Sequence, residues 1–75
     1  MANDLNDLDE IKAKIGKNIA KYRTKAGLSQ LKLSLMVESD EIYISHLERG
    51  RRIPSISMAY KISKAVKIEL YELFK

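Results

Sequence analysis

The stretch Ser29–Gly50, SQLKLSLMVESDEIYISHLERG, contains two helix starts, two stops and a short turn between them. A serine hydroxyl can accept from one of the free N–H groups of a first helical turn. Ser29 therefore reads as the N-cap of a short helix through Gln30, Leu31, Leu33 and Met36. Residues 37–39 read as a turn. Asp40 repeats the N-cap chemistry, and the helix it opens runs to Arg49. Gly50, free to adopt positive φ, ends that helix. Two short helices joined by a turn of a few residues make a helix-turn-helix unit if a bundle forms around them.

The flanking sequence supplies such a bundle. On the N-terminal side, Leu8, Ile11, Ile15, Ile19, Tyr22 and Ala26 recur at spacings of three and four and share one helical stripe. Lys14, Lys17, Lys21 and Lys25 form a second, basic stripe, and Gly27 ends the helix. Asp7, Asp9 and Glu10 suit its start, where the helix dipole favours negative charge. Residues 1–10 are then an acidic extension or the start of helix one, and residues 11–75 the domain proper. On the C-terminal side, Pro54 and Ser55 introduce a fourth helix over 56–67. Its apolar residues Ile56, Ala59, Tyr60, Ile62, Ala65 and Val66 cover more than half its circumference, which predicts burial on more than one side. A fifth, short helix over 69–75 would turn Leu70, Leu73 and Phe74 inward. The expectation is an all-α, compact five-helix domain.

Composition narrows the function. A chain of 75 residues makes one thin core. It has no cysteine and one histidine, so neither a disulfide nor a structural zinc site is expected. The longest apolar runs are too short for a membrane span. The acidic N-terminus lacks a signal-peptide pattern, so a cytoplasmic protein is expected. No nucleophile–base pair, phosphate loop or metal cluster appears, which argues against an enzyme and against a cofactor. Nor is a domain for a small-molecule ligand evident. Four of the ten acidic residues lie in the first ten positions. From Ile11 onward fourteen Lys and Arg face six Asp and Glu, a balance of +8. Such an excess suits a polyanion, whose counterions are released when Lys and Arg neutralise phosphates.

The third helix carries the chemistry. Wound at about 100° per residue, it places Tyr43, Ile44, Leu47 and Glu48 on one side. Glu41, Ile42, Ser45, His46 and Arg49 fall on the other. That second set offers donors, acceptors and one aliphatic, the equipment for reading major-groove base edges. Ile42 suits a thymine methyl, or is a stray exposed aliphatic. Glu41 could accept from a cytosine amino group or from Arg49. His46 is a base reader or an ordinary surface histidine. Arg49, Arg51 and Arg52, around the exit of this helix, suit phosphate contacts that set register without reading sequence, and Tyr43 is grouped with them.

These residues also carry a resemblance. IGKNIAKYRTKAGLSQLKLS from Ile15, YISHLERGRRIPS from Tyr43 and IELYELF from Ile68 together resemble the phage repressor and Cro-like helix-turn-helix family, the XRE family. The combination of R-x-x-x-G-L-S-Q with I-S-x-L-E-R-G and a following proline is specific. The likeness runs from Ile15 to Phe74, about four-fifths of the chain. D-x-x-Y-I-S-x-x-E-R, residues 40–49, also resembles restriction–modification controller proteins.

The resemblance implies a lambda-repressor-like fold and a transcriptional regulator that binds double-stranded DNA as a homodimer on a palindromic operator. Regulation would follow by occluding RNA polymerase or by touching it. It implies a phosphate contact and a bracing role for Gln30, base contacts from Glu41, Ile42, Ser45 and His46, and a buried ion pair between Arg23 and Glu48. Ile68, Leu70, Tyr71 and Phe74 form the expected dimer surface, with packing inside the monomer as the alternative. An antitoxin binding both DNA and a toxin protein is the rival function, and residues 1–10 are its only candidate toxin-binding segment. A protein-interaction module without DNA affinity is a further rival. The chain departs from the family at Ser34, Glu38, Ser39, Lys67 and Glu69, where Ala, Gly, an aliphatic, Gly and a small N-cap residue are usual. Glu38 in a turn that prefers positive φ predicts strain or a reshaped turn.

Overall fold

The computed structural model describes residues 4–75, with side chains described from Asp7 onward. Helix starts are set by capping side chains. Ser29, Asp40 and Ser55 each adopt extended backbone and accept from the N–H three residues on, at 2.9, 2.7 and 3.1 Å. They open α2 (Gln30–Met36), α3 (Glu41–Glu48) and α4 (Ile56–Val66), which follow α1 (Asp4–Lys25). The last element is a 3-10 helix, Leu70–Phe74, so the architecture is four α-helices and a 3-10 turn rather than five α-helices. Glu69 offers no side-chain cap there, and five residues are too few for a stable α-helix without one.

All four α-helices end the same way. Gly27, Glu38, Gly50 and Lys67 have φ of 75°, 59°, 75° and 65°. At each, its own N–H and that of the next residue bond back to carbonyls three and five residues earlier. In α2 these are Glu38 to Leu35 at 3.3 Å and Ser39 to Ser34 at 2.8 Å. The turn between α2 and α3 therefore keeps the tight glycine-type geometry with a glutamate in it, rather than lengthening. A left-handed backbone costs a residue with a Cβ roughly 1–2 kcal/mol. Glu38 regains little, because its exposed pair with Lys61, at 3.8 Å, is weak. Glu38→Gly should stabilise the domain by about 1 kcal/mol, seen as a higher urea midpoint with unchanged slope. A lower midpoint would mean the Lys61 pair outweighs the strain.

The core comprises Ile15 and Ile19 of α1, Leu33 of α2, Val37 in the turn, Ile44 and Leu47 of α3, Ala59, Ile62 and Val66 of α4, and Leu73 of the 3-10 helix. Val37 occupies interior space near the polar Ser39, which is only half-buried. Two serines are also buried. Ser34 and Ser63 each donate to the carbonyl three residues back, Leu31 at 2.6 Å and Tyr60 at 2.7 Å, so no polar group is left unpaired. This is how serine substitutes for alanine inside the bundle. The 3-10 helix is tied to α1 by Asn18 Nδ2 donating to the Leu73 carbonyl (2.9 Å) and by Tyr22 Oη donating to Glu72 Oε1 (3.1 Å).

The apolar stripes reach further than the core does. Leu8, Ile11 and Ala26 of α1 are exposed, because the core contacts of that helix are concentrated at Ile15 and Ile19. Ile56 and Tyr60 are also exposed, so α4 is not buried on more than one side: its packing partners α1, α2 and the 3-10 helix cover one flank. Phe74 does not turn inward as Leu73 does, and Leu70 is half-buried. Among the described residues no helix is long and apolar enough to cross a membrane.

Candidate nucleic-acid interface

Asp40 determines where α3 begins, and so which residues occupy its first turn. Its Oδ1 accepts from Tyr43 N–H at 2.7 Å, which leaves Glu41 and Ile42 exposed at the helix entrance. Ile42 is 69% exposed, an uncovered aliphatic on a helix whose opposite face, Ile44 and Leu47, is fully buried. Ser45 and His46 are half-buried along the same outer side. Glu41, Ile42, Ser45 and His46 are thus brought together on one face, flanked at the helix exit by exposed Arg49, Arg51 and Arg52. The exit itself is constrained. Arg51 N–H bonds to the His46 carbonyl at 2.9 Å, and Gly50 lies against α1, where an added Cβ would be 3.1 Å from Ala13 Cα.

Arg23, Gln30 and Glu48 form a network behind this face. Arg23 Nε donates to Glu48 Oε2 at 2.6 Å and Nη2 to Oε1 at 3.1 Å, a two-point fork, while Nη1 donates to the Leu28 carbonyl at 2.8 Å. The hydrogen bond with Glu48 raises the Arg23 pKa further above its ordinary value. Gln30 Nε2 donates to Glu48 Oε1 at 2.9 Å, so one carboxylate links α1, α2 and α3. Gln30 is thereby held at the entrance of α2, with one of its two Nε2 hydrogens committed to Glu48.

Three features of the site escaped the sequence reading. Gly16 is buried where α1 crosses α3, and the two backbones touch there. Gly16 and Arg23 are seven residues apart on one helical line, a signal that the wheel contained. Arg52 lies over the ring of Tyr43, with 5.6 Å from Cζ to the ring centroid. Tyr43 itself is half-buried against the core. The basic stripe Lys14, Lys17, Lys21 and Lys25 lies roughly 150° around α1 from the Gly16–Arg23 line, so those lysines sit away from α3. Of the surface residues at the C-terminal end, Tyr71 and Phe74 are 58% and 42% exposed, whereas Ile68 and Leu70 are half-buried against the core.

Two capped helices, a tight turn and a polar outer face on the second helix define the helix-turn-helix class. The model of the helix-turn-helix family HTH_3 matches residues 19–73, and the chain belongs to that family. It is similar to the control protein C.MunI of a Mycoplasma species, 35% identical over 68 residues, covering 89% of this chain and 92% of that one. It is 34% identical over 59 residues to the HTH-type transcriptional regulator y4dJ of Sinorhizobium fredii, covering 79% and 77%. Among solved structures it resembles the restriction–modification controller protein C.AhdI of Aeromonas hydrophila. There the TM-score is 0.80 at 36% identity, over 84% of this chain and 96% of that one. These relatives are transcriptional regulators and controller proteins, not enzymes.

Proposed function

We propose that this protein is a transcriptional regulator of the restriction–modification controller kind that binds a two-fold symmetric operator as a homodimer in the cytoplasm. The observation that carries the reading is the outer face of α3, with Glu41, Ile42, Ser45 and His46 together and three exposed arginines at its exit. The likeness to C.MunI and C.AhdI supports the controller assignment. Each subunit would place the first turns of α3 in a major groove, with half-sites roughly 34 Å apart. Gln30, Tyr43, Arg49, Arg51 and Arg52 would hold phosphates, and the four outer residues of α3 would read bases. Ile42, desolvated against a thymine methyl, would recover the apolar burial that the free protein lacks.

Dimerisation would use Tyr71 and Phe74, with Ile68 and Leu70 at their edge. A stable interface needs about 800 Å² per partner. Exposed Leu8, Ile11, Ile53 and Ile56 offer further apolar surface toward that area. The bound dimer would regulate by occluding RNA polymerase or by contacting it.

Selection of bound sites from a random duplex library at near-physiological salt tests the reading. Enrichment of a two-fold symmetric sequence is expected. Binding that vanishes with salt and enriches nothing would leave only a basic surface. Substitutions then separate gripping from reading. Arg51→Ala should weaken binding to every duplex and reduce the salt slope by about one unit. Ile42→Ala or His46→Ala should relax preference at one symmetric position per half-site, by about 1–3 kcal/mol. Identical behaviour of the two groups would contradict this division of roles.

A further inference from the structure

We propose that Tyr43 is a positioning residue, a platform that holds the Arg52 guanidinium ready for a phosphate, rather than a phosphate ligand in its own right. The inference rests on the DNA-binding reading above and changes the role given there to Tyr43. Both ends of the arrangement are anchored. Tyr43 has its backbone N–H fixed by the Asp40 carboxylate at 2.7 Å, and its side chain is half-buried against the core. Arg52 follows Gly50, whose φ of 75° and close approach to Ala13 tie the exit loop to α1, while Arg51 N–H is bonded to the His46 carbonyl. From that loop the guanidinium reaches back over α3, its Cζ 5.6 Å from the Tyr43 centroid.

A cation over an aromatic face is held by the ring quadrupole and not by its N–H groups. The five donors of the guanidinium, which lie in its plane, therefore stay available for an anion. Among the described residues no carboxylate lies within ion-pairing distance of Arg52; the pairs present are Arg23–Glu48 and Lys61–Glu38. An arginine held only by a ring, with its donors free, has already lost part of its rotamer freedom and loses less on binding. Arg49 and Arg51 have no such platform. The three arginines should therefore contribute unequally, with Arg52 the one set in place before DNA arrives.

The test uses the full chain, a labelled mixed-sequence duplex, and a cycle of Tyr43→Phe, Tyr43→Leu, Arg52→Ala and the Tyr43→Leu/Arg52→Ala double variant. Tyr43→Phe keeps the ring and should bind as the parent does. Tyr43→Leu should bind roughly two- to five-fold more weakly, with no loss of salt slope. Arg52→Ala should lower the slope by about one unit. In the Arg52→Ala background the Tyr43→Leu loss should disappear.

A DNA-free readout isolates the platform itself. In the unbound protein the Arg52 Cδ protons should show an upfield ring-current shift by NMR, kept in Tyr43→Phe and lost in Tyr43→Leu. Thermal melting of both variants checks that they are folded. Equal losses for Phe and Leu would show that the phenol hydroxyl contacts the phosphate, and would overturn the proposal. So would additive losses, or unshifted Arg52 protons. A ring-current shift in a protein that binds no duplex would instead refute the DNA-binding reading and leave the ring contact standing.

Discussion

Glu48→Ala should destabilise the domain by about 3 kcal/mol, roughly a quarter to three-quarters of its total stability. The Glu48 side chain is 7% exposed and that of Arg23 18%, so the pair is largely withdrawn from water. Its bare Coulombic attraction is a poor guide to its worth, since bringing two charges inside costs nearly as much as their attraction returns. The asymmetry of removal decides the outcome. Without Glu48, Arg23 keeps only the Leu28 carbonyl as a partner, and its charge stays where water reaches it poorly. Gln30 Nε2 loses its acceptor in the same step. Removing one partner of such a pair typically costs about 3–5 kcal/mol, and the partial exposure of Arg23 places this case at the lower end. A domain of 75 residues has roughly 4–11 kcal/mol in total. Thermal melting of Glu48→Ala and Glu48→Gln beside the parent measures the effect. Glu48→Gln should fall between them, because an amide still accepts from Arg23 but carries no charge. A melting temperature unchanged in Glu48→Ala would show that the network does not hold α1 to α3.

The second large effect is expected from the smallest change of volume. Gly16→Ala adds one methyl group where a Cβ would collide with the Leu47 carbonyl oxygen and lie 2.7 Å from the Glu48 carbonyl oxygen. Both neighbours are backbone of α3, so no side chain can swing away, and the helices must separate. Alanine would otherwise gain about 1 kcal/mol over glycine inside a helix. The collision outweighs that gain: overpacking of a closed interior costs about 1–3 kcal/mol. A net loss of up to about 2 kcal/mol in urea denaturation is expected. The displaced element is the one that bears the proposed reading face, so duplex affinity should fall further in Gly16→Ala than in an equally destabilised core variant such as Ile62→Val. Equal affinities in the two would show that α3 adjusts without losing its pose. A Gly16→Ala variant more stable than the parent would mean that the close approach of α1 to α3 relaxes freely.

Both effects lie on the α1–α3 seam, and they differ in how far the chain announced them. Arg23 and Glu48 stood beside the apolar stripes of their helices and matched a familiar pairing, so the ion pair could be anticipated. The third member, Gln30, was expected to brace the recognition helix, but its bond to Glu48 depends on how α2 sits beside α3. Gly16, by contrast, was given no role by capping or periodicity. Its need for a hydrogen in place of a side chain appears only when a second backbone is laid against it.

Much of the architecture is local chemistry and could be read along the chain. Ser29, Asp40 and Ser55 open helices because a short oxygen-bearing side chain satisfies a free N–H within the same turn, whatever surrounds it. Gly27 and Gly50 close helices because positive φ costs them little. Periodic apolar residues in 11–22 and 56–66 established that these segments are helical, and Ile15 and Ile19 which side of the first faces inward. Such features depend on neighbours within about five residues, so sequence order is enough to place them. What folding added depends on residues far apart in the chain. It set how far along each stripe the core extends, leaving Leu8, Ile11, Ile56 and Tyr60 in solvent. It held Glu38 and Lys67 in left-handed backbone, because packing on both sides of each turn outweighs the local cost. It laid Arg52 across Tyr43. None of these could be read from periodicity, since each is settled by which surfaces meet, and surfaces meet only once the helices have docked.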